Sequence, residues 1–468
     1  MHQFELTDDQ LQIQEMARKF TSDAITPNAA EWDEKHIFPR DTIREAAELG
    51  FGAIYVSEES GGIGLGRLEA ALIMEAMAYG CPSTSAFISI HNMASWMIDR
   101  FGSADVKQKY LPSMITMERM GSYCLTEPSS GSDAAALGFG AIYVSEESGG
   151  IGLGRLEAAL IMEAMAHGCP STSAFISIHN MASWMIDRFG SAEVKQKYLP
   201  SMITMERIGS YCLTEPSSGS DAAALRTKAV LDGDHYVVSG SKAFISGAGE
   251  NEIYVTMVRT GEDGPKGISC LVIEKDMPGV SFGAQEKKLG WHSQPTAQVN
   301  FDEVRVPVEN RVGAEGEGFR IAMMGLDGGR LNIGACSLGG AQRCLDEAVK
   351  YTKERKQFGQ PIADFQATQF TLADMETELE AARYLLYVAA AKVTANAPAK
   401  TRFAAMAKRL ATDTGSSVVD RALQLHGGYG YLQDYPVERF WRDLRVHSIL
   451  EGTNQIMRVI VSRDLLRQ

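Results

Sequence analysis

A single carboxylate near the C-terminus lies in a segment where it could act as a base. Glu451 follows two apolar residues and precedes Gly452, and Thr453 or Asn454 can cap a helix that starts directly behind it. Apolar surroundings raise the pKa of a carboxylate, and a carboxylate that titrates near neutral pH is suited to general base catalysis. An acidic residue at a helix start also interacts favourably with the helix dipole. This segment alone therefore leaves Glu451 two roles, a general base or a structural residue.

Four other segments offer groups that suit a ring edge or a phosphate. Residues 214–220 place hydroxyls and a glycine on a loop that leaves a strand, and residues 244–246 place an aromatic ring and a hydroxyl at a strand end. Residues 355–360 join a guanidinium group to a glycine turn, and the glycine-rich residues 426–430 expose backbone N–H groups; both suit a pyrophosphate. Each segment also has an ordinary explanation, as a polar turn, a core Phe, a basic helix end or a glycine turn. Taken singly, none identifies a ligand.

The first elements that must position these residues are helices. Thr7 followed by Gln10 is typical of a capping box, and apolar content predicts helices over 67–78 and 85–100. The glycine-rich run 61–66 does not match a dinucleotide-binding fingerprint and is interpreted as a turn. The buried face of the helices in this region predicts an N-terminal bundle.

A group of short strands is followed by a second helical region. A turn at residues 232–234 predicts a hairpin, and short strands separated by Gly and Pro over about 100 residues favour a small β-barrel or sandwich. Amphipathic runs over 327–355, 364–393 and 401–425 predict a four-helix bundle together with the helix after Thr453. We therefore predict an α+β multidomain fold with an N-terminal helical region at 1–208, a middle β domain at 209–315 and a C-terminal helical bundle at 316–468.

The sequence contains one long internal repeat. Residues 49–136 recur as residues 137–224, an offset of 88 residues. The copies differ at three pairs of positions: Tyr79 and His167, Asp105 and Glu193, Met120 and Ile208. Solenoid repeats have periods of roughly 20–50 residues and diverge, so this pattern does not predict a solenoid. Two origins fit it, an in-frame duplication and an error in assembling the sequence, and the mass of the intact native protein distinguishes them.

Composition excludes several classes of protein. The chain has 468 residues, 45% hydrophobic and 22% charged, as in globular proteins. A net charge of −14 argues against binding to nucleic acid or to an anionic membrane, and no apolar run reaches the ~18 residues of a membrane span. Seven cysteines without metal-like spacing predict free thiols and no metal. Because the start lacks signal and transit features, we expect a bacterial cytoplasmic protein, or a mature protein of the mitochondrial matrix.

Taken in order, the motifs resemble those of the acyl-CoA dehydrogenases over essentially the whole chain apart from the extra copy. The segments that carry the resemblance are 211–216, 219–221, 244–246, 355–359, 426–430 and 451–454. The resemblance implies helical N-terminal and C-terminal domains around a β domain, assembled as a homotetramer with one FAD per subunit. It also implies removal of hydrogens from Cα and Cβ of an acyl thioester.

The resemblance also implies roles for individual residues. Glu451 takes the α-proton while flavin N5 accepts the β-hydride, and the Glu451 backbone N–H with a ribityl hydroxyl polarises the thioester carbonyl. Flavin contacts would come from Tyr211, Leu213, Thr214, Gly219, Ser220, Phe244, Ile245 and Ser246. A neighbouring subunit's FAD would meet Arg355, Phe365, Gln366, Gln424, His426, Gly427 and Gly428, and its adenosine half would meet Thr453, Asn454 and Gln455. The acyl-CoA would be held by Ser220, Asp327, Gly328, Gly329, Arg330 and Arg463.

Within the family, the amino-acid sequences of several segments resemble those of members whose substrate has a short branched acyl chain, such as isobutyryl-CoA. The resemblance also implies an electron-transferring flavoprotein as electron acceptor. Two copies of the Tyr-Cys-Leu-Thr-Glu-Pro-Ser-Ser-Gly-Ser-Asp motif exist, at 123–133 and 211–221. We predict that the second faces the flavin because it leads directly into the β domain. Three alternatives stay open: another short acyl substrate, a flavin-binding protein inactivated by the duplication, and a helical interaction protein that uses the repeat for docking.

Overall fold

The computed structural model describes residues 6–121 and 138–467, and the first copy of the Tyr-Cys-Leu-Thr motif at 123–133 lies outside them. The chain divides into two compact units, Met1–Gly131 and Ser132–Gln468. The division separates the two copies of the repeat. Each unit is described below by itself.

The first unit is helical, as predicted. Thr7 caps the first helix and exchanges hydrogen bonds with Gln10, which confirms the capping box. The core is formed by apolar side chains of the N-terminal helices and of the first copy, among them Ile25, Ile43 and Ile73, all fully buried. The elements are α1 (Asp8–Phe20), a π-helical turn (Thr21–Ile25), α2 (Ala29–Glu34), α3 (Arg40–Glu48), α4 (Arg67–Gly80), α5 (Pro82–Phe101) and α6 (Ala104–Ile115).

The second copy folds like the first. It forms α7 (Arg155–Gly168), α8 (Pro170–Phe189) and α9 (Ala192–Ile203). The buried His91 and His179 make equivalent contacts, since each Nε2 lies 2.9 Å from a backbone carbonyl oxygen, of Met114 and Met202 respectively. Both are therefore core histidines. The helix predicted over 85–100 begins earlier, at Pro82, because proline suits the first turn of a helix.

Eight strands form one mixed sheet in the middle of the second unit. The strands are β1 (Gly209–Cys212), β2 (Lys228–Asp232), β3 (His235–Ser246), β4 (Ile253–Arg259), β5 (Ile268–Glu274), β6 (Val280–Phe282), β7 (Thr296–Pro307) and β8 (Arg311–Val312). The predicted hairpin is confirmed, because β2 and β3 pair antiparallel around Gly233, whose φ is +63°. β1 pairs parallel with β4, which fixes the start of residues 211–220 at the sheet.

Long helices complete the second unit. They are α10 (Gly318–Glu354), α11 (Gln366–Thr394), α12 (Lys400–His426), α13 (Val437–Leu444) and α14 (Asn454–Leu465), with a short hairpin of β9 (Lys356–Gln357) and β10 (Gln360–Pro361) after α10. The sequence predicted the first of them from Asp327, whereas α10 already begins at Gly318, so residues 327–330 lie in its interior. α13 was not predicted. In the part of the chain that the structure describes, no helix has the length and apolar character to cross a membrane.

Candidate active site

Glu451 lies in a tight turn directly ahead of α14. Its φ is +55° and that of Gly452 is +84°, so two successive residues adopt the left-handed conformation. Thr453 then caps α14 by accepting a hydrogen bond from the backbone N–H of Ile456 at 3.3 Å. Arg330 of α10 donates from Nε to the Glu451 backbone carbonyl at 3.3 Å. The turn is thus held at both ends.

The Glu451 carboxylate occupies space left by a glycine of α10. A Cβ at Gly329 would lie 2.4 Å from Oε2 of Glu451, so any larger residue would displace the carboxylate. Oε2 is fully buried and has no hydrogen-bond partner among the described residues, although the residue as a whole is half-buried. Burial raises the pKa of Glu451 to about 7, against the opposing charges of Arg330 and Lys408. A buried carboxylate of this pKa can accept a proton near neutral pH.

Lys408 of α12 stabilises the turn from the other side. It is fully buried, and its Nζ donates to the Gly452 carbonyl and to Oδ1 of Asn454, both at 2.9 Å. Burial lowers the pKa of Lys408 to about 8, although the Glu451 charge acts in the opposite direction. Asn454 is therefore a structural partner of Lys408 here, at the first position of α14.

Residues 327–330 form a buried polar group beside this turn. Arg330 donates from Nη1 to Oδ1 of Asp327 at 2.8 Å, and Thr401 donates to the other oxygen of Asp327 at 2.6 Å. A Cβ at Gly328 would lie 2.3 Å from Nη1 of Arg155. Gly328 thus leaves room for Arg155, and Gly329 leaves room for Glu451. These contacts explain why two glycines occur inside a long helix.

The second copy supplies aromatic groups to the same region. The guanidinium of Arg155 lies 3.8 Å from the ring centroid of Tyr143, a cation–π contact. The Tyr211 hydroxyl is buried without a partner among the described residues, and burial, then the Glu451 charge, raise its pKa well above the usual value. Burial raises the pKa of Tyr143 as well. The structure therefore places the second copy's motif within electrostatic reach of Glu451.

The loop after β1 is anchored by a buried ion pair. Lys242 donates from Nζ to Oε1 of Glu215 at 2.8 Å and to the Leu213 carbonyl at 3.2 Å. Glu215 also accepts from the backbone N–H groups of Arg226 and Thr227. Burial alone would raise the pKa of Glu215, but the Lys242 charge and these hydrogen bonds lower it below its ordinary value. The anchor fixes the base of the loop and leaves its tip exposed.

The exposed tip of the loop lies beside an exposed aromatic ring. Ser220 is exposed, and a Cβ at Gly219 would meet no atom of the described residues within 4 Å. Phe244 lies at a bulge in β3 with φ +57°, and 67% of its surface is exposed. Because the neighbouring Ala243 N–H donates to the Thr214 carbonyl at 2.8 Å, the aromatic ring and the hydroxyl loop are adjacent. Of the other predicted contacts here, Ile245 is buried in the sheet and Ser246 is half-buried.

A second cluster of predicted residues lies on the exposed end of the C-terminal helices. The Arg355 guanidinium lies 5.5 Å from the ring centroid of Tyr429, and His426 stacks on Tyr351 with centroids 4.4 Å apart. Gly427 and Gly428 border open space, since in the part of the chain that the structure describes no atom lies within 4 Å of a Cβ placed at either position. Exposed or half-exposed residues complete this cluster: Phe365, Gln366 and Gln424. No described hydrogen bond or ion pair joins this cluster to Glu451.

Two predicted residues stand apart and three further residues belong to the site. Gln455 and Arg463 are exposed on α14, at its first and last turns. The sequence analysis missed Lys408, Tyr143 and Arg155. A lysine within the alanine-rich residues 404–411 was a usable signal, because a charge on an apolar helix face requires a partner.

Comparison with known proteins gives consistent results along the chain. Models of the acyl-CoA dehydrogenase N-terminal, middle and C-terminal domains match residues 7–118 with 130–206, 210–304 and 316–466. The mitochondrial isobutyryl-CoA dehydrogenase of Dictyostelium discoideum is 48% identical over 461 residues, 98% of this chain and 90% of that protein.

Solved structures show the same likeness. Butyryl-CoA dehydrogenase of Megasphaera elsdenii is 31% identical with a TM-score of 0.62, over 99% of this chain and 100% of that one. PigA, solved with FAD and proline, is 26% identical with a TM-score of 0.62 over the whole of both chains. The protein therefore belongs to the acyl-CoA dehydrogenase family and is an oxidoreductase.

Proposed function

We propose that the protein catalyses FAD-dependent α,β-dehydrogenation of a short branched-chain acyl-CoA, such as isobutyryl-CoA, to the 2-enoyl-CoA. The observation that carries this proposal is the Glu451 carboxylate, which is buried, has one oxygen without a hydrogen-bond partner among the described residues, and has its pKa raised to about 7. Removal of a proton next to a thioester requires such a base in a water-poor site. The similarity to isobutyryl-CoA dehydrogenase supports the choice of acyl chain.

Glu451 acts as the base in this proposal, and its neighbours hold it in position. Gly329 leaves the room that the carboxylate needs, and Arg330 and Lys408 hold the turn by their hydrogen bonds to the backbone of residues 451 and 452. Their positive charges also keep the pKa of Glu451 from rising further. The Glu451 backbone N–H would donate to the thioester carbonyl and stabilise the charge that develops there. Asp327 and Arg330 would contact the substrate.

The residues at the loop after β1 fit FAD. The exposed ring of Phe244 and the open space at Gly219 form a cradle that a planar ring system can fill, and the buried Tyr211 hydroxyl, which has no partner among the described residues, could bond to a ligand. When bound, FAD supplies the acceptor for the hydride that leaves the β-carbon. The Lys242–Glu215 pair would keep the loop in place during loading and release of the cofactor.

The cluster around Arg355 and Gly427 supports a role in assembly. Its guanidinium group and its exposed glycine backbone suit a pyrophosphate, and both lie on the surface of this chain. We therefore propose that they contact FAD in a neighbouring subunit of a homotetramer, and that Thr453, Asn454 and Gln455 lie toward its adenosine half. An electron-transferring flavoprotein is the proposed electron acceptor.

The pH dependence of flavin reduction tests the role of Glu451. Because the base must be ionised, the rate should rise with pH through a pKa of about 7. Lys408→Met removes a positive charge that lowers the pKa of Glu451, so the rising limb should move to higher pH. Stopped-flow reduction across pH 5–9 measures both, with circular dichroism to confirm folding. If the rate of flavin reduction in a folded Lys408→Met variant rose over the same pH range as in the wild type, Glu451 would not be the base.

Substrate preference tests the proposed acyl chain. Isobutyryl-CoA should give a higher kcat/KM than octanoyl-CoA. One methylene in an apolar pocket is worth about 1–3 kcal/mol, so 2-methylbutyryl-CoA should retain partial activity. A preference for octanoyl-CoA would exclude the branched-chain assignment. Flavin that is bound but not reduced by isobutyryl-CoA without oxygen would instead identify the inactive, flavin-binding alternative.

A further inference from the structure

The second copy of the repeat contains a stack of an arginine on two aromatic rings. Cζ of Arg155 lies 3.8 Å from the ring centroid of Tyr143 and 5.1 Å from that of Trp184. The first copy forms the equivalent stack by itself, with Cζ of Arg67 4.2 Å from the ring centroid of Tyr55. Because the stack occurs in both copies, the sequence of the repeat is sufficient to build it.

The surroundings of the stack differ between the copies. Arg155 is 8% exposed and Tyr143 is 7% exposed, whereas Arg67 is exposed. A Cβ at Gly328 of α10 would lie 2.3 Å from Nη1 of Arg155, so this helix packs directly on the guanidinium. In the second copy, α10 therefore covers the stack and fixes its position.

A hydrogen bond joins Tyr143 to α10 about one turn beyond the proposed base. Asn332 donates from Nδ2 to the Tyr143 hydroxyl at 3.2 Å and to Oγ of Ser177 at 2.9 Å. Residues three positions apart lie on the same side of a helix, about 4.5 Å apart along its axis. Asn332 therefore follows Gly329, the residue that meets the Glu451 carboxylate, on the same side of α10.

These contacts place the Tyr143 ring close to the proposed base. The pKa of Tyr143 is raised by burial above all, and the Glu451 charge contributes in the same direction. Oδ1 of Asn332 and Oε2 of Glu451 are both buried without a hydrogen-bond partner among the described residues. A group that reaches Glu451 and continues along this side of α10 meets Tyr143 about one helical turn later.

We propose that the ring of Tyr143, held by Asn332 and stacked against Arg155, closes the end of the acyl-chain pocket and limits the substrate to short chains. This role rests on the proposed function, in which Glu451 removes the proton from the α-carbon. An isobutyryl group extends only one carbon beyond the α-carbon in each branch, whereas an octanoyl group extends six. A distance of about 4.5 Å along α10 suits the first group and excludes the second.

Tyr143→Ala tests this role, and Tyr55→Ala is the matched control. The two tyrosines lie in identical sequence, and each stacks on an arginine. Loss of the Tyr143 ring makes room for several methylenes, so kcat/KM for octanoyl-CoA relative to isobutyryl-CoA should rise at least about ten-fold. The ratio should not change in Tyr55→Ala. An unchanged ratio in a folded Tyr143→Ala variant would overturn the proposal.

Tyr143→Phe separates the ring from its hydroxyl group. Phe keeps a ring beside Arg155 but cannot accept the hydrogen bond from Asn332. Because the ring itself closes the pocket, the preference for isobutyryl-CoA should stay close to that of the wild type. A shift toward octanoyl-CoA as large as that in Tyr143→Ala would show that the ring is not the barrier.

Binding of thioether analogues gives a readout without turnover. Isobutyl-CoA and octyl-CoA thioethers lack the carbonyl that acidifies the α-proton, so the flavin is not reduced. In isothermal titration calorimetry of the holoprotein, Tyr143→Ala should bind octyl-CoA at least about ten-fold more tightly than the wild type does. The affinity for isobutyl-CoA should not rise in parallel. Equal octyl-CoA affinity in the wild type and in Tyr143→Ala would overturn the proposal.

The binding measurement also separates this role from the proposed function. A wild-type protein whose flavin neither acyl-CoA reduces would refute the function, while the octyl-CoA affinities would still decide whether Tyr143 closes the pocket. Tyr143→Leu serves if the Ala variant does not fold, because Leu leaves a smaller cavity in a buried site. It should change the octyl-CoA affinity in the same direction by a smaller factor. A folded Tyr143→Leu variant with wild-type octyl-CoA affinity would again exclude the ring as the barrier.

Discussion

Replacement of Glu451 by Gln should slow flavin reduction by isobutyryl-CoA by about 10²–10⁴-fold, the usual cost of losing a general base. The amide keeps the shape of the side chain, so it should still fit beside Gly329, where no bulkier neighbour is tolerated. FAD content and substrate binding should be unchanged because the turn is held through its backbone by Arg330 and Lys408. Anaerobic stopped-flow absorbance measures the rate, and titration of the oxidised flavin measures binding.

Glu147→Gln is a matched control for the loss of one negative charge, because Glu147 is exposed on a short turn of the second copy. This variant should reduce flavin at the wild-type rate. Flavin bleaching at the wild-type rate in Glu451→Gln would show that another group removes the proton.

Lys242→Met should lower the free energy of unfolding by about 3–5 kcal/mol, because the change leaves a buried charge without its partner. Lys242 is fully buried and Glu215 is 5% exposed. Met fills a similar volume but cannot donate to Glu215 or to the Leu213 carbonyl. The loop that carries Thr214 and Ser220 should lose its anchor, so FAD should be retained less tightly. Urea unfolding of the apoprotein and flavin content after gel filtration measure the two effects.

The double variant Glu215→Gln with Lys242→Met separates the pair from simple loss of packing. Without the buried carboxylate the penalty is smaller, so the double variant should recover part of the lost stability. Lys228→Met, at an exposed position of β2, should change stability by less than about 0.5 kcal/mol and controls for removal of a lysine. A double variant less stable than Lys242→Met alone would contradict the proposed role of the pair.

Elements with local signals could be predicted from the sequence. The capping box at Thr7, the hairpin around Gly233 and the cap at Thr453 depend on residues within a few positions of one another, and all three are present. The location of Glu451 ahead of a helix was accessible for the same reason. Its raised pKa was expected from its apolar neighbours in sequence, whereas the structure shows that the carboxylate lies against Gly329 of α10.

Contacts between distant residues could not be predicted in this way. Arg330 and Glu451 meet across 121 positions, and nothing in either segment alone indicates it. The start of α10 was placed at Asp327 although the helix begins at Gly318, and nothing in the sequence showed that Gly328 and Gly329 leave room for Arg155 and Glu451. Local rules also assign the same structure to both copies of the repeat. Which faces are covered depends on the rest of the chain.

Because of the repeat, each copy can also serve as the reference for the other in a single measurement. An amide in residues 49–121 and its described twin 88 positions later have the same neighbouring residues in sequence at almost every position. Their intrinsic hydrogen-exchange rates therefore cancel when one measured rate is divided by the other. His91 and His179 illustrate what is left. Each ring bonds to the carbonyl of the equivalent methionine, but only His91 also lies 3.4 Å from a serine hydroxyl, that of Ser95; burial lowers the pKa of both, in the case of His179 to about 4. Differences between twins measure what surroundings contribute to a fold when sequence is held constant.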